Sequence, residues 1–437
     1  MNSIYFLDEW SQRHTLNASF APQTGHFSLP FVGGMSFNIS SNTGLSNYIY
    51  KNDNELVTFM HPSVDGHDFI DQLATNNFLH QASKVNLLSF GFYNKENYWS
   101  FDFNLKEQLN LNLPVDLFRL IKLGFEHETN QYDLKDLSID QSNIAEYSLG
   151  YSRNINQKIR IGANLKLLIG LSSEQIKYSK FDVLLTNDRY QINATGETNI
   201  MSDILTFDSD TNNNIDFFNP DINFSSKNPA GTGGAIDLGI TYKPNLKWTF
   251  SGAVNDLGIM FWNASKITKG IANSNFIFTG FTVVDMENNS IESQLNQMEQ
   301  DLNNLILFQD QGLTTSDIVE STPTSVNLSA EYSVFGDSDR DIKLGVLLNS
   351  YNSAIYNSNQ LMGAVTFKPM SWLSLSTSYS ILLNESNRFG IAMNFSPEWL
   401  NAFIAADFST LKFNRQFIPI NKFNLNFQAG ISLYLGE

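Results

Sequence analysis

Phe423-Asn424-Leu425-Asn426-Phe427-Gln428-Ala429-Gly430-Ile431-Ser432-Leu433-Tyr434-Leu435 alternates with a period of two. Phe423, Leu425, Phe427, Ala429, Ile431, Leu433 and Leu435 take one set of positions, and Asn424, Asn426, Gln428, Gly430, Ser432, Tyr434 and Gly436 take the other. Successive side chains of a strand point to opposite faces, so this segment has one apolar face and one mostly polar face. Leu246, Trp248, Phe250 and Val254 alternate in the same way with Lys247, Thr249 and Ser251. So do residues 372–383, and the run that places Ile159, Ile161, Ala163, Leu165 and Leu167 on one side. Soluble strands average roughly 5–6 residues, whereas a tilted membrane strand needs about 9–11. Several runs here are of the longer kind.

The links between runs carry the next inference. Asn94-Lys95-Glu96, Ile155-Asn156-Gln157, Pro244-Asn245, Gly336 to Arg340, Pro369-Met370-Ser371 and Pro397-Glu398 are tight. The links between them are often long, at 43–79, 110–142, 173–232 and 257–323, with shorter ones at 351–358, 384–386 and 411–422. Short turns at one end and long loops at the other are the pattern of a membrane barrel. The expected fold class is therefore all-β, a transmembrane antiparallel β-barrel with short helices in long extracellular loops. Strands are predicted at 26–42, 80–93, 97–109, 143–154, 158–172, 233–243, 246–256, 324–335, 341–350, 359–368, 372–383, 387–396, 399–410 and 423–435. That is fourteen, and a hairpin of 175–186 with 189–198 would raise the count to sixteen. The whole chain, 1–437, reads as one barrel, with 1–25 as a periplasmic N-terminal segment. Trp248, Trp372 and Trp399 follow short turns, so they are expected in a membrane-interface girdle.

Composition bounds the function. The 437 residues carry 27 Lys+Arg against 44 Asp+Glu, a net charge of −17, which disfavours nucleic acid as a partner. There is no Cys, which removes thiol catalysis, disulfides and thiolate metal sites. Charged residues are only 16%, while Asn reaches 52, Phe 35 and Tyr 16, so charged surface is scarce and disorder is not expected. No apolar run reaches the ~18 residues of a membrane helix. Met1-Asn2-Ser3-Ile4-Tyr5 lacks a signal-peptide pattern, so the chain is either unexported or a mature form; an outer-membrane location takes the second. Two helices are predicted, at Asp65 to Leu73 and at Asn289 to Phe308. In the second, Ile291, Leu295, Met298, Leu302 and Leu305 form a narrow seam suited to docking or to packing on its own loop.

Some segments carry a resemblance. Tyr147 to Arg153 and Lys158 to Gly170, Gly231-Thr-Gly233-Gly234-Ala-Ile-Asp237-Leu-Gly239-Ile-Thr-Tyr242-Lys-Pro244, Trp248, and Val254-Asn-Asp256-Leu-Gly258 resemble hairpins of the FadL/PorV-type outer-membrane barrels. Arg13 to Pro30, Leu56 to Ser63 and Leu87 to Phe92 look like a Bacteroidota branch of that group. The resemblance covers most of the chain and names no catalytic group. It implies a fourteen-stranded outer-membrane barrel that either passes small hydrophobic molecules or serves as a partner barrel in a secretion or assembly machine.

Catalytic motifs are missing. No Gly-x-Ser-x-Gly elbow, HExxH pair or P-loop occurs, and a hydrolase would need a Ser/His/acid cluster that sequence cannot place. Gly231-Thr-Gly233-Gly234 opens a strand and reads as a backbone turn. His61 and His67, with Asp65 and Asp68, read as scattered polar groups. Asp208, Asp210, Asn212, Asn214 and Asp216 place oxygens at alternate positions, as in the first part of an EF-hand loop, and mark a candidate calcium site. Asn213 stands where that loop has glycine and Asn219 where it has the bidentate Glu. No other cofactor is expected. Loop investment puts first a non-enzymatic barrel that binds protein partners or substrates within an outer-membrane complex, in contact with outer-membrane lipid. The alternative is a FadL-like channel for small hydrophobic solutes, which the amide-lined face of 423–435 suits less well. A soluble all-β protein such as a propeller lacks the required 40–50-residue repeat.

Overall fold

The computed structural model describes residues 3–53, 55–127, 129–209, 213–222, 228–279, 308–336, 341–354, 356–383, 387–409 and 422–435. Fourteen antiparallel strands form a closed barrel. They are β1 (Gly25–Ser28 continued by Met35–Gly44), β2 (Asn76–Asn94), β3 (Asn97–Pro114), β4 (Ser138–Asn154), β5 (Ile159–Thr186), β6 (Gly231–Tyr242) and β7 (Trp248–Trp262). The ring continues through β8 (Thr324–Gly336), β9 (Asp341–Asn352), β10 (Asn357–Met370), β11 (Leu373–Leu382), β12 (Arg388–Phe395), β13 (Leu400–Ser409) and β14 (Lys422–Leu435). Each strand pairs with the next, and β14 returns to β1 with Ala429 opposite Met35 and Phe427 opposite Phe37. Closure pairs every wall strand on both sides, which removes the free edges of an open sheet.

All fourteen predicted strands are present, but two predicted loops are largely strand. β5 continues to Thr186, and its upper half pairs with Tyr190–Ser202, so the hairpin suspected at 175–198 exists. Tyr190–Ser202 also pairs with Ile267–Phe278, in an extension beyond the loop end of the ring, and the ring count stays at fourteen. Among the described residues, the links 173–232 and 257–323 therefore hold paired strands. Alternation persists past the end of the barrel because each extended strand keeps a neighbour for its backbone groups.

The two faces separate as the alternation requires. On β10, Ser358, Gln360, Met362, Ala364 and Thr366 are buried, while Leu361, Val365 and Phe367 are exposed. On β14, Asn424, Asn426 and Ser432 are buried and Ile431 and Leu435 are exposed. The amide face looks inward and the apolar face outward. Trp248, Trp372 and Trp399 are exposed beside the short turns.

Two irregularities shape the wall. Between its halves, β1 is broken at Leu29–Gly34, where Phe31 has φ 64° and Phe31 and Val32 stand exposed outside. The break is bonded within itself, where Gly33 N donates to Leu29 O at 2.7 Å, and to β14, where Ile431 N donates to Val32 O at 2.9 Å. A bulge sits between β6 and β7, where the register shifts between Ile236 and Leu238 and Asp256 adopts φ 58°. Its backbone N–H donates to Asp237 Oδ1 at 2.7 Å, so the bulge turns two carboxylates toward the lumen.

The N-terminal segment corrects the sequence reading. Residues 1–25 were expected in the periplasm; from Ser3 onward the segment lies inside the ring and stoppers it. Ile4, Leu7 and Trp10 pack on inward Ala392, Phe403 and Ala405, and Tyr5, Phe6 and Phe20 pack on Leu347, Met362 and Ala364. Six aromatic or large aliphatic side chains between residues 4 and 20 need an apolar surface to cover them, and these inward residues of β9, β10, β12 and β13 supply it. Near the other end of the barrel, residues 45–75 and 113–124 build a small core of their own. It includes α1 (Gly66–Ile70), capped by Asp65 accepting from Asp68 N–H at 2.9 Å, and α2 (Val115–Lys122), with Phe69 and Phe118 at its centre. Of the helix predicted at Asn289–Phe308, residues 289–307 lie outside the described residues.

Candidate functional site: a stoppered lumen

The stopper is held by polar contacts to many strands. Ser3 N–H donates to Asp407 Oδ1 at 3.2 Å, and Ser11 N–H to Asn401 Oδ1 at 3.2 Å. Asn255 Nδ2 donates to Leu16 O at 2.9 Å. Gln12 Nε2 donates to Ser28 Oγ at 2.8 Å and to Gly33 O at 3.1 Å, which ties the stopper to the break in β1. Glu9 Oε1 lies 2.7 Å from Lys368 Nζ, and Asp8 pairs with Lys343 and, at 2.7 Å, with Arg13. Burial alone would raise the Asp8 carboxyl, but Lys343 and Arg13 outweigh it and hold the group well below the usual carboxylate range. At inward Gly162 and Gly239 the wall is bare: a Cβ there would run into the Ala18 carbonyl and the Asn17 side chain. Glycine is what lets the end of the stopper lie against β5 and β6.

On the loop side of the stopper is a cavity of about 390 Å³. Its floor includes Thr15 and Leu16, and its sides mix Ile144 and Leu168 with Lys84 and Lys106. Lys166 anchors a charge network behind it: Nζ lies 2.7 Å from Asp237 Oδ2, 2.7 Å from Asp256 Oδ1 and 3.8 Å from Glu146 Oε2. Lys106 also reaches Asp256 Oδ1, at 3.2 Å, and pairs with Glu146. Buried charges hold only when paired and hydrogen-bonded, and here each acid meets at least one ammonium. Lys84 stands opposite Lys106 in the β2–β3 register and takes no part in these pairs.

Aromatic rings cross above the cavity. Tyr356, in the link between β9 and β10, stacks on His80 of β2 with centroids 4.1 Å apart and planes 10° apart. His80 is also 2.7 Å from Asn110 through Nδ1. β2 and β9 are seven strands apart in either direction round the ring, so the stack joins opposite walls.

The structure also assembles the Ser/His/acid grouping that sequence could not place, and it does so away from that cavity. His26 Nε2 is 3.0 Å from Ser89 Oγ, His26 Nδ1 is 3.1 Å from Tyr98 OH, and His14 Nε2 is 2.9 Å from Asp102 Oδ2. The His26 ring meets a phenol where a triad would place a carboxylate. Ser89 and His26 are fully buried between stopper and wall, with no room for a substrate.

The candidate calcium loop is only partly covered. Asp208 is the next-to-last residue of one strand (Leu205–Ser209), and Asn214 precedes its partner (Ile215–Ile222) and bridges to Gln309. Asp210 and Asn212 lie outside the described residues, as does the side chain of Asp216, so calcium there stays a proposal of the sequence. His61 bonds Ser63 and His67 bonds Glu126, so the two histidines point to different partners. Among the described residues no group of three or more His, Asp or Glu side chains is placed to hold a metal. The stopper and the aromatic crossing escaped sequence reasoning. The one available signal was the density of Ile, Tyr, Phe, Leu and Trp between Ile4 and Trp10, too short for a wall strand.

A sequence-family model matches residues 18–407. The chain belongs to DUF5723, a family of unknown function. No functionally curated protein matches it. Among solved structures, this DUF5723 chain is similar to the toluene transporter TbuX of Ralstonia pickettii, at 6% identity and TM-score 0.46, covering 96% of this chain and 91% of that one. It is also similar to the P. putida toluene transporter TodX, at 8% identity and TM-score 0.41, covering 96% and 92%. A Pseudomonas aeruginosa FadL homologue aligns at 9% identity and TM-score 0.39, covering 95% and 91%.

Proposed function

We propose that this protein is a non-enzymatic barrel of the outer membrane that admits small hydrophobic or amphipathic solutes from its loop side. The observation that carries the reading is the partition of the lumen. A cavity of ligand size, walled by both apolar and hydrogen-bonding side chains, sits between an aromatic crossing and a stopper made from the chain's own N-terminal residues. The outward apolar face supports the location, because paired strands with an oily exterior suit hydrocarbon and suit water poorly. The polar inward face of β14 no longer counts against the solute reading, since Leu16 of the stopper, Ile144 of β4 and Leu168 of β5 supply apolar surface that β14 lacks.

The partner-subunit reading rested on loop length. Much of that length is accounted for within the chain, by the core around Phe69 and Phe118 and by the strands beyond β5 and β7. The solute channel therefore becomes the preferred reading. The test is uptake of a monoaromatic hydrocarbon into vesicles carrying the purified full-length protein. Uptake above protein-free vesicles, reduced when Leu16 and Ile144 are both changed to Asn, is expected. Uptake equal to that of protein-free vesicles would remove the proposal.

A further inference from the structure

A second cavity lies on the opposite side of the stopper, at the short-turn end of the barrel. It measures about 330 Å³, and its lining includes Arg13, Lys158, Arg160 and Lys243 against only two acids, Asp8 and Glu331. The acids are already engaged. Asp8 pairs with Lys343 and Arg13, and Glu331 lies 3.4 Å from Lys343. Lys158, Arg160 and Lys243 make no ion pair among the described residues.

The backbone forces these cations together. Lys243 N–H donates to Lys158 O at 2.7 Å, which sets the two lysines opposite each other where β5 and β6 begin and end. Arg160 is two residues further in, opposite Thr241. Like charges facing each other across a ladder repel. The Arg160 Nε donates to Ser152 Oγ at 3.1 Å and the guanidinium lies 5.9 Å from the Tyr93 ring centre, which fixes its plane. Its Nη2 is buried and has no hydrogen-bond partner. An oriented guanidinium with an unused buried donor, beside two exposed ammonium groups that make no ion pair among the described residues and on the lining of one cavity, has the composition of an oxyanion site.

We infer that the turn-side cavity binds a small molecule through a carboxylate or phosphate group held by Arg160, Lys158 and Lys243. The size of the cavity fits a small solute and excludes a folded partner. The site lies across the stopper from the loop-side cavity, and it stands whether or not that cavity carries solutes.

The test is calorimetric titration of the full-length protein in detergent with sodium phosphate and, separately, sodium acetate, against sodium chloride at equal ionic strength. Saturable binding of phosphate or acetate with one site per chain is expected, and the tighter of the two identifies the group. Arg160→Gln should weaken that binding about tenfold or more, the worth of one charge-assisted hydrogen bond. The paired change Lys158→Gln with Lys243→Gln, at exposed strand ends where the fold tolerates it, should do the same. Lys247→Gln, an exposed lysine that does not line the cavity, should leave binding unchanged. Failure of both oxyanions to bind beyond chloride, or binding that the double lysine change leaves intact, would overturn the inference, and an adventitious ion only is then the conclusion.

Discussion

His14 Nε2 lies 2.9 Å from Asp102 Oδ2, joining the N-terminal stopper to β3 through a contact in which both side chains are buried. Removing one partner of a buried hydrogen bond leaves the other unsatisfied, at a cost of about 1–3 kcal/mol, more where that group is a carboxylate. His14→Ala should therefore release the stopper locally while the ring stays closed. Hydrogen exchange is the measurement: amides of residues 3–20 should lose protection and those of β10 and β11 should keep it. Equal protection in variant and parent would show that His14 does not anchor the segment.

Acid should act on the same segment through Asp8. Lys343 and Arg13 hold its carboxyl below the ordinary value, so the folded form binds a proton less readily than the unfolded one. The stabilisation is full above the unfolded value, about 4 for Asp, and is lost progressively as pH falls through the lower folded value. The Asp8 contribution should thus be unchanged between pH 5 and 8 and be lost only below about 4. Asp8→Asn should abolish the acid-dependent part. The check is protease sensitivity of the N-terminal segment against pH; loosening below about 4 that is undiminished in Asp8→Asn would rule Asp8 out.

Bare glycine seats the end of the stopper. Gly239→Leu puts a side chain where Asn17 and Ser19 lie, and backbone on both sides limits relaxation. The substitution should push the segment off β6 and raise ion conductance in planar bilayers by about tenfold, toward that of an open barrel. Gly363→Leu, at an outward position with nothing within 4 Å, is the control and should leave conductance at the parental level. Equal conductance in both variants would mean that the lumen is closed by something else.

The ring stack above the cavity should set the rate of entry. A stacked aromatic pair is worth about 0.5–1.5 kcal/mol beyond its burial. Tyr356→Ala removes the stack on His80, so association of a loop-side solute should speed up several-fold with a smaller change in dissociation. Stopped-flow binding of an environment-sensitive hydrophobic dye reports both rates. An unchanged association rate would show that solutes enter by another path.

Fold class was legible in the sequence because a wall strand must present lipid on one side and lumen on the other, and Phe423–Leu435 shows this residue by residue. Turn positions were legible through Pro244-Asn245 and Pro369-Met370-Ser371. The length of β5 was not, since Ser173–Thr186 pairs with strands on an extension whose existence depends on distant residues 267–278. Nor was the stopper, whose partners Ala392, Phe403 and Ala405 lie almost four hundred residues away. The lumenal charge network was hidden for a related reason: Lys166, Asp237 and Asp256 meet only because a bulge on β7 redirects two carboxylates.

The order of assembly follows from where the N-terminal residues sit. They lie inside the ring, and β1, which follows them, is one side of the seam sealed by β14. Residues 3–20 must already be indoors when the last hairpin zips shut, or else be threaded into a finished cylinder. The final seam is then the step that traps the cork in the bottle.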